Sequence, residues 1–93
     1  MVRITVRPLG PWQMMLGGDT KDVEVSGHTL RDLLETLDRI SAGAVKKMVL
    51  EEGDGLDPRF KIYVNGTSCD VEGLDTLISE GDSVMLFSVI DGG

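Results

Sequence analysis

One segment of this 93-residue chain carries an apolar repeat with the period of an α-helix. Its apolar residues recur at steps of three and four, which places them on one stripe, and charged residues occupy the other face. Thr29 can cap this helix, and Asp32 three residues later completes a variant of the capping box. A chain of this length supports one domain with a single modest core, so the helix must supply much of that core. The stripe consists of Leu30, Leu33, Leu34, Leu37 and Ile40.

Alternating apolar and polar residues predict β-strands before the helix. Residues 2–7 alternate strictly, and residues 21–25 alternate again after a turn signal at residues 17–19. The apolar segment 12–16 between them is too short for a stable helix by itself, so we interpret it as a turn that closes one edge of the core. The first two strands therefore form a predicted hairpin with an apolar loop.

The chain after the helix predicts a second hairpin and a last strand. Asn65-Gly66 is the hairpin signal, because a type I′ turn needs positive φ at both central residues. The predicted elements are a strand over residues 60–64, a return strand over residues 67–71, a short turn held by its leucines at residues 73–77, and a last strand over residues 83–90.

Two segments between the helix and the second hairpin are less regular. Residues 42–49 fit a helical turn or two, with Val45, Met48 and Val49 facing inward, and residues 48–50 alternatively fit a short strand. The pattern leaves both open. Residues 51–57 concentrate acidic residues and glycine, but their spacing does not fit the EF-hand calcium loop, so a solvated turn is predicted there.

The order hairpin, helix, hairpin, strand predicts an α+β fold of the β-grasp (ubiquitin-like) type. Such a fold has a mixed sheet of four to five strands with one main helix on one face. The first and last strands lie parallel in the centre, since the helix supplies the crossover that a parallel pair needs. Val84 and Leu86 would then face the helix, whereas Met85 and Phe87 would lie on the uncovered face with Tyr63. An apolar patch there has no internal use, so it is a candidate partner site.

The charge balance restricts the partners of the chain. Its formal net charge is −7 and its pI is about 4.4, so nucleic acid and anionic membranes would repel it, and a basic partner surface is the natural complement. No apolar run approaches the roughly 20 residues of a membrane span, and no signal-peptide pattern occurs, so we expect a cytoplasmic protein.

The one cysteine, Cys69, excludes an internal disulfide, and no spacing pairs it with His28 as a catalytic dyad. We expect no metal site.

Gly92 and Gly93 follow the last strand. Neither residue has a Cβ, so this segment can pass through a channel in which a side chain would clash. We predict a β-grasp domain over residues 1–90 and a flexible tail over residues 91–93, with the unhindered α-carboxylate of Gly93 as the candidate reactive group. A frayed terminus without chemistry is the other interpretation.

Short motifs in a fixed order make the chain resemble a known family. Val-Asn-Gly at residues 64–66 is followed by Gly-Leu-Asp-Thr-Leu at residues 73–77, Gly-Asp-Ser-Val-Met-Leu-Phe at residues 81–87 and the final Gly-Gly. This pattern resembles the MoaD/ThiS family of ubiquitin-like sulfur carrier proteins essentially from end to end. The helix start Gly-His-Thr-Leu-Arg-Asp-Leu-Leu and the Leu-Gly at residues 16–17 are similar to the branch of the molybdopterin synthase small subunit. Residues 87–89 depart from that branch, since they read Phe-Ser-Val where its members commonly carry Phe-Pro-Pro.

The resemblance implies a carrier whose chemistry is done by partner enzymes. An E1-like adenylating enzyme would join the Gly93 carboxylate to AMP, a sulfur donor would convert it to a thiocarboxylate, and a synthase such as the molybdopterin synthase large subunit would accept the sulfur. The implied pathway is synthesis of molybdopterin, the molybdenum/tungsten cofactor. The chain would hold no cofactor stably, because the activating partner uses the ATP, and it would be a carrier rather than a stand-alone enzyme. The implied site residues are Gly92 and Gly93 for the reaction, and Tyr63, Met85, Phe87 and Asp91 for partner binding.

Three alternatives stay open from the sequence. The chain could be a ubiquitin-like modifier conjugated to proteins through Gly93, or a sulfur carrier for thiamine or another pathway. It could also be a β-grasp interaction module whose tail takes part in no reaction.

Overall fold

The predicted hairpins, main helix and last strand all form, and two short helices add to them. The computed structural model describes residues 1–50, 56–69 and 72–89. Within these residues the strands are β1 (Val2–Pro8), β2 (Lys21–Val25), β3 (Phe60–Val64), β4 (Thr67–Ser68) and β5 (Ser83–Ser88), the helices are α1 (Pro11–Leu16), α2 (Leu30–Ile40) and α3 (Ala44–Val49), and a 3₁₀ turn covers Gly73–Asp75.

The sheet has five strands in the order β2-β1-β5-β3-β4. β1 and β5 run parallel, with Val6 beside Val84, and every other neighbouring pair is antiparallel. The parallel pair is joined through a crossover that includes α2, as the sequence predicts. This arrangement is the β-grasp fold.

The core lies between the helices and one face of the sheet. From α2 it takes Leu30, Leu33, Leu34 and Leu37, all of which are buried as predicted. Each such leucine contributes about 1.5–3 kcal/mol, so α2 is a principal source of stability. The sheet contributes Ile4, Val6, Val23, Val25, Phe60, Ile62, Val84 and Leu86.

Ile40 does not join this core, since 53% of it is exposed. At about 100° per residue, Ile40 lies roughly 70° from the mean direction of the four buried leucines. It is also the last residue of α2, and the chain turns away immediately after it through positive φ at Ala42 and Gly43. The prediction that Ile40 packs inside was therefore wrong.

Both short helices depend on buried anchors rather than on helix propensity. The segment that we interpreted as an apolar turn forms α1, in which Pro11 occupies the first turn and Trp12 and Leu16 are buried. The segment left open forms α3, in which Val45 and Val49 lie one helical turn apart and face inward. Tertiary packing stabilises such short helices, which is why the local pattern did not decide them.

Two further apolar residues point outward against prediction. Met48 of α3 is 43% exposed, because it lies off the face that Val45 and Val49 share. Leu77 is 70% exposed, whereas Leu74 in the 3₁₀ turn is buried. Only one of the two leucines therefore holds the turn to the core.

The second hairpin has the predicted turn. Asn65 and Gly66 have φ of 51° and 85°, the left-handed region that a type I′ turn needs. The Asn65 side chain also contacts the start of β5, since its Nδ2 donates to Asp82 Oδ1 at 3.0 Å and its Oδ1 accepts from the Ser83 N–H at 2.9 Å. This turn therefore fixes β3 against β5 as well as against β4.

Several predictions fall outside the described residues. These are residues 51–55 of the predicted solvated turn, the predicted end of the return strand at residues 70–71, and Ile90 as the predicted end of the last strand. Within the described residues both strands are shorter than predicted, since β4 ends at Ser68 and β5 ends at Ser88. Among the residues described, no helix is both long enough and apolar enough to cross a membrane.

Candidate functional site

The face of the sheet opposite α2 carries the residues predicted to bind a partner. Along β5, Val84 and Leu86 are buried, whereas Met85 and Phe87 are partly exposed. Tyr63 of β3 lies beside Met85 in the register of the sheet. The fold thus brings Tyr63, Met85 and Phe87 together on one surface, which we call the aromatic patch.

The two rings of the aromatic patch contact each other. Their centroids are 5.1 Å apart and their planes meet at 66°, an edge-to-face geometry that aromatic pairs favour. Both rings stay partly exposed, so a partner can still cover them. Because the contact already restricts Tyr63 and Phe87, docking would cost less side-chain entropy than it would for two free rings.

Cationic side chains border the aromatic patch. Arg7 of β1 is the register neighbour of Met85, and Lys61 of β3 is the register neighbour of Phe87. These cations lie on one face of a chain whose formal net charge is −7. The net charge predicts a basic partner surface, but it does not describe this face of the chain, because the partner group that complements Arg7 is an anion.

The end of β5 is held from both sides. On one side β5 accepts hydrogen bonds from Leu9, which follows β1, and from Trp12 in α1; on the other side Val89, just after β5, donates to the residue that precedes β3. The main chain is thereby fixed as far as Val89, the last residue described. The bonds are Leu9 N–H to Leu86 O at 2.8 Å, Trp12 Nε1–H to Phe87 O at 3.0 Å, and Val89 N–H to Arg59 O at 2.9 Å.

Arg59, which accepts the last of these bonds, is itself restrained by Asp57. Its Nη2 donates to Asp57 Oδ2 at 2.7 Å and its main-chain N–H donates to Asp57 Oδ1 at 2.9 Å. These hydrogen bonds from Arg59 hold the pKa of the Asp57 carboxyl below its usual value. The ion pair therefore stiffens the loop against which the strand ends.

The remaining predicted site residues lie beyond this point. Asp91, Gly92 and Gly93 are outside the described residues, so their assigned roles stay predictions. The same holds for the boundary between domain and tail at residue 90.

Trp12 is the residue that the sequence analysis missed. We placed it in an apolar turn and assigned it no role. The side chain is fully buried, and its indole N–H donates a hydrogen bond to the Phe87 carbonyl of β5. A signal was present, because a buried indole N–H usually finds an acceptor and this is the only tryptophan in the chain.

Within residues 1–50, 56–69 and 72–89, the other chemically reactive side chains are not gathered into a site. Cys69 is buried, and its thiol makes a weak hydrogen bond to Thr67 O at 3.8 Å. No group of three or more His, Cys, Asp or Glu side chains that could hold a metal ion occurs in the part of the chain that the structure describes. The aromatic patch and the end of β5 are therefore the strongest candidates for function.

The sequence matches the model of the ThiS family over residues 11–93. This span includes α1, the aromatic patch and both glycines of the Gly-Gly pair. A search of curated protein sequences gives no significant match.

Three solved structures illustrate what the chain is similar to. CysO of Mycobacterium tuberculosis, described as an antigen, is 30% identical, with a TM-score of 0.75 over 91% of this chain and 97% of that chain. A chain in the BexX/CysO complex of Amycolatopsis orientalis is 26% identical, with a TM-score of 0.77 over 97% of this chain and 99% of that chain. A putative molybdopterin converting factor, subunit 1, of Pyrococcus furiosus is 25% identical, with a TM-score of 0.71 over 95% of this chain and 98% of that chain.

Proposed function

The chain belongs to the ThiS family of ubiquitin-like carrier and modifier proteins, and on that premise we propose that it carries sulfur as a thiocarboxylate on Gly93. One observation carries the proposal. The family match runs through residues 92 and 93, so the Gly-Gly pair is part of the family pattern and not an addition to it.

The proposed reaction begins with activation of the Gly93 carboxylate. A carboxylate at neutral pH is a poor electrophile, because its negative charge is shared by both oxygens. In the active site of an E1-like enzyme, one of these oxygens attacks the α-phosphorus of ATP and expels pyrophosphate. The product is an acyl adenylate, a mixed anhydride in which AMP is a good leaving group.

Sulfur enters in the second step. A sulfur nucleophile at the oxidation level of sulfide attacks the acyl carbon, the C–S bond forms, and AMP leaves with the oxygen that had joined it. The tail then ends in a thiocarboxylate. An acceptor enzyme takes the sulfur and water restores the carboxylate, so the chain is regenerated.

The described residues would supply docking for both encounters. The aromatic patch provides two rings and a thioether on a rigid sheet, which is the composition of a protein interface centre. Gly92 and Gly93 would let the tail pass through a channel without a Cβ clash, and Asp91 would contact the entrance of that channel. We propose no cofactor for the chain itself, because the ATP is bound and used by the activating enzyme.

We assign the carrier to molybdopterin synthesis, with the molybdopterin synthase large subunit as the acceptor. The resemblance of the helix start to the small-subunit branch supports this assignment, as does the likeness to the putative converting factor subunit of Pyrococcus furiosus. The Phe-Ser-Val sequence at residues 87–89, where that branch commonly has Phe-Pro-Pro, makes the acceptor the part of the proposal that most needs an experiment.

Intact-mass spectrometry tests the proposal. The purified chain is incubated with its activating enzyme, ATP and sulfide, and a second sample lacks ATP. We expect an ATP-dependent mass gain equal to the exchange of one oxygen for sulfur, lost again when synthase large subunit and its pterin precursor are added. Conjugates joined to lysines of other proteins would instead indicate a modifier, and no ATP-dependent change would indicate an interaction module.

A further inference from the structure

Trp12 occupies an unusual position for the only tryptophan of a small domain. Its side chain has no exposed surface, although it belongs to a helix of six residues at the edge of the core. Its ring meets Phe60 edge-to-face, with centroids 5.7 Å apart and planes at 85°. The ring is thus fixed by packing, and its one polar atom, Nε1, is directed at the Phe87 carbonyl.

The segment that carries Trp12 also makes a second bond to the same strand. Leu9 N–H donates to Leu86 O, so two successive carbonyls of β5 accept hydrogen bonds from residues three positions apart. The Pro11 ring at the start of α1 and the buried Leu16 at its end hold this segment in place. Leucine or phenylalanine at position 12 would also be apolar, but both are smaller than tryptophan and neither has a donor for the Phe87 carbonyl.

We propose that Trp12 is a positioning residue for the reactive tail. Its indole N–H holds the peptide plane between Phe87 and Ser88, and this plane sets the direction in which the chain leaves the sheet. The direction in which the chain leaves β5 is therefore fixed relative to the aromatic patch. The consequence for activation rests on the proposed function, whereas the effect on the strand end does not.

The short distance from this point to the reactive group makes such positioning matter. Gly93 lies four residues beyond Val89, whose N–H donates to Arg59 O, and four residues reach at most about 14 Å when fully extended. A tail of that length cannot compensate freely for a strand end that shifts. A misplacement of about 1 Å at a reacting group is enough to slow a reaction by about 100-fold.

Amide hydrogen exchange tests the strand end without any partner. In the parent, the indole Nε1–H signal should exchange slowly, because it is buried and hydrogen-bonded. Trp12→Phe should accelerate exchange at Val89 and Leu9 by about tenfold relative to Leu33 in α2, the change expected when one buried hydrogen bond is lost. Phe60→Leu is the matched control, since it removes the ring contact and keeps the donor. It should raise exchange at all three amides alike.

An isosteric replacement separates the donor from the packing. Replacing Trp12 by 3-benzothienylalanine substitutes sulfur for the N–H and keeps the shape of the ring, so this variant should fold and still show faster exchange at Val89. The proposal would be overturned if this variant accelerated exchange at Val89 no more than at Leu33. It would also be overturned if the indole proton of the parent exchanged as fast as an exposed one.

Steady-state activation then tests the consequence for the tail. With the activating enzyme, Trp12→Phe should lower kcat for pyrophosphate release by about tenfold or more and leave KM within about twofold, because the aromatic patch that sets docking is retained. Unchanged kcat, with an active parent, would contradict the positioning role. An inactive parent would overturn the proposed function and its link to Trp12, whereas the exchange result would still report on the strand end.

Discussion

At the scale of single residues, Asp32 organises the start of α2. Its Oδ2 accepts from the His28 N–H, the Thr29 N–H and the Thr29 hydroxyl at 3.1, 3.3 and 3.0 Å. The Thr29 hydroxyl is the main cause that lowers the pKa of Asp32 below 3.8, and the main-chain donors add to it. Gly27 has φ of 132°, and a Cβ there would collide with the Asp32 carboxylate. The cap therefore depends on a glycine two residues before it.

Asp32→Ala should destabilise the fold by about 1 kcal/mol at pH 7, the usual contribution of a capping side chain. Since the folded-state pKa is depressed, this contribution is present above the unfolded value of 3.8 and is lost as the pH falls through the lower folded value. Urea denaturation at pH 7 and at pH 3 measures the difference. Asp19→Ala, at an exposed turn, is the control with the same change of charge, and an equal effect of the two variants at pH 7 would contradict the role of the cap.

At the scale of elements, β5 has one buried face and one partly exposed face. It pairs with β1 on one edge and β3 on the other, so it is the central strand of the sheet. Val84 and Leu86 place its inner face in the core, while Met85 and Phe87 place its outer face in the aromatic patch. The same strand leads directly to the tail. A partner bound to the outer face of β5 would therefore lie close to the point where the predicted tail begins.

Substitutions on the two faces of β5 should separate folding from binding. Phe87→Ala should weaken binding to the activating enzyme by about 30-fold or more, the effect of losing an aromatic anchor, with a smaller effect on unfolding. Val84→Ala should do the reverse and cost about 1–3 kcal/mol of stability as a core truncation. Titration calorimetry and thermal unfolding of both variants measure the two effects. An unchanged affinity of Phe87→Ala would show that the docking surface lies elsewhere.

At the scale of the whole molecule, the changes of period along the chain were enough to predict the topology. Three signals were used: the helix period of the leucine stripe, the strand alternation around it and the Asn65-Gly66 turn. Together they leave few topologies other than the β-grasp in which one helix covers one face of the sheet. The same alternation predicted which face of β5 carries Met85 and Phe87. Each of these signals is local, since it depends on residues a few positions apart.

The sequence pattern could not predict features that are set by where elements end or by contacts between residues distant in sequence. Ile40 and Met48 are apolar, but the core edge near the end of α2 and the buried face of α3 are set by neighbouring elements. The bond from Trp12 to Phe87 joins residues 75 positions apart, and it exists only because α1 packs beside the end of β5. No local period signals such a bond, although a lone buried indole indicates that some acceptor must be near.

The central claim is that the Gly93 carboxylate is the reactive group, and ATP–pyrophosphate exchange by the activating enzyme tests it most directly. Gly93→Ala, deletion of Gly93 and extension by one residue leave the core intact, so stability should stay within about 0.5 kcal/mol of the parent. The parent should support exchange, and all three variants should lose most of it, because a methyl group, a shorter tail or an amide keeps the carboxylate from the α-phosphate of ATP. Full exchange with the extended or shortened tail would contradict the claim, and with it both the carrier and the modifier.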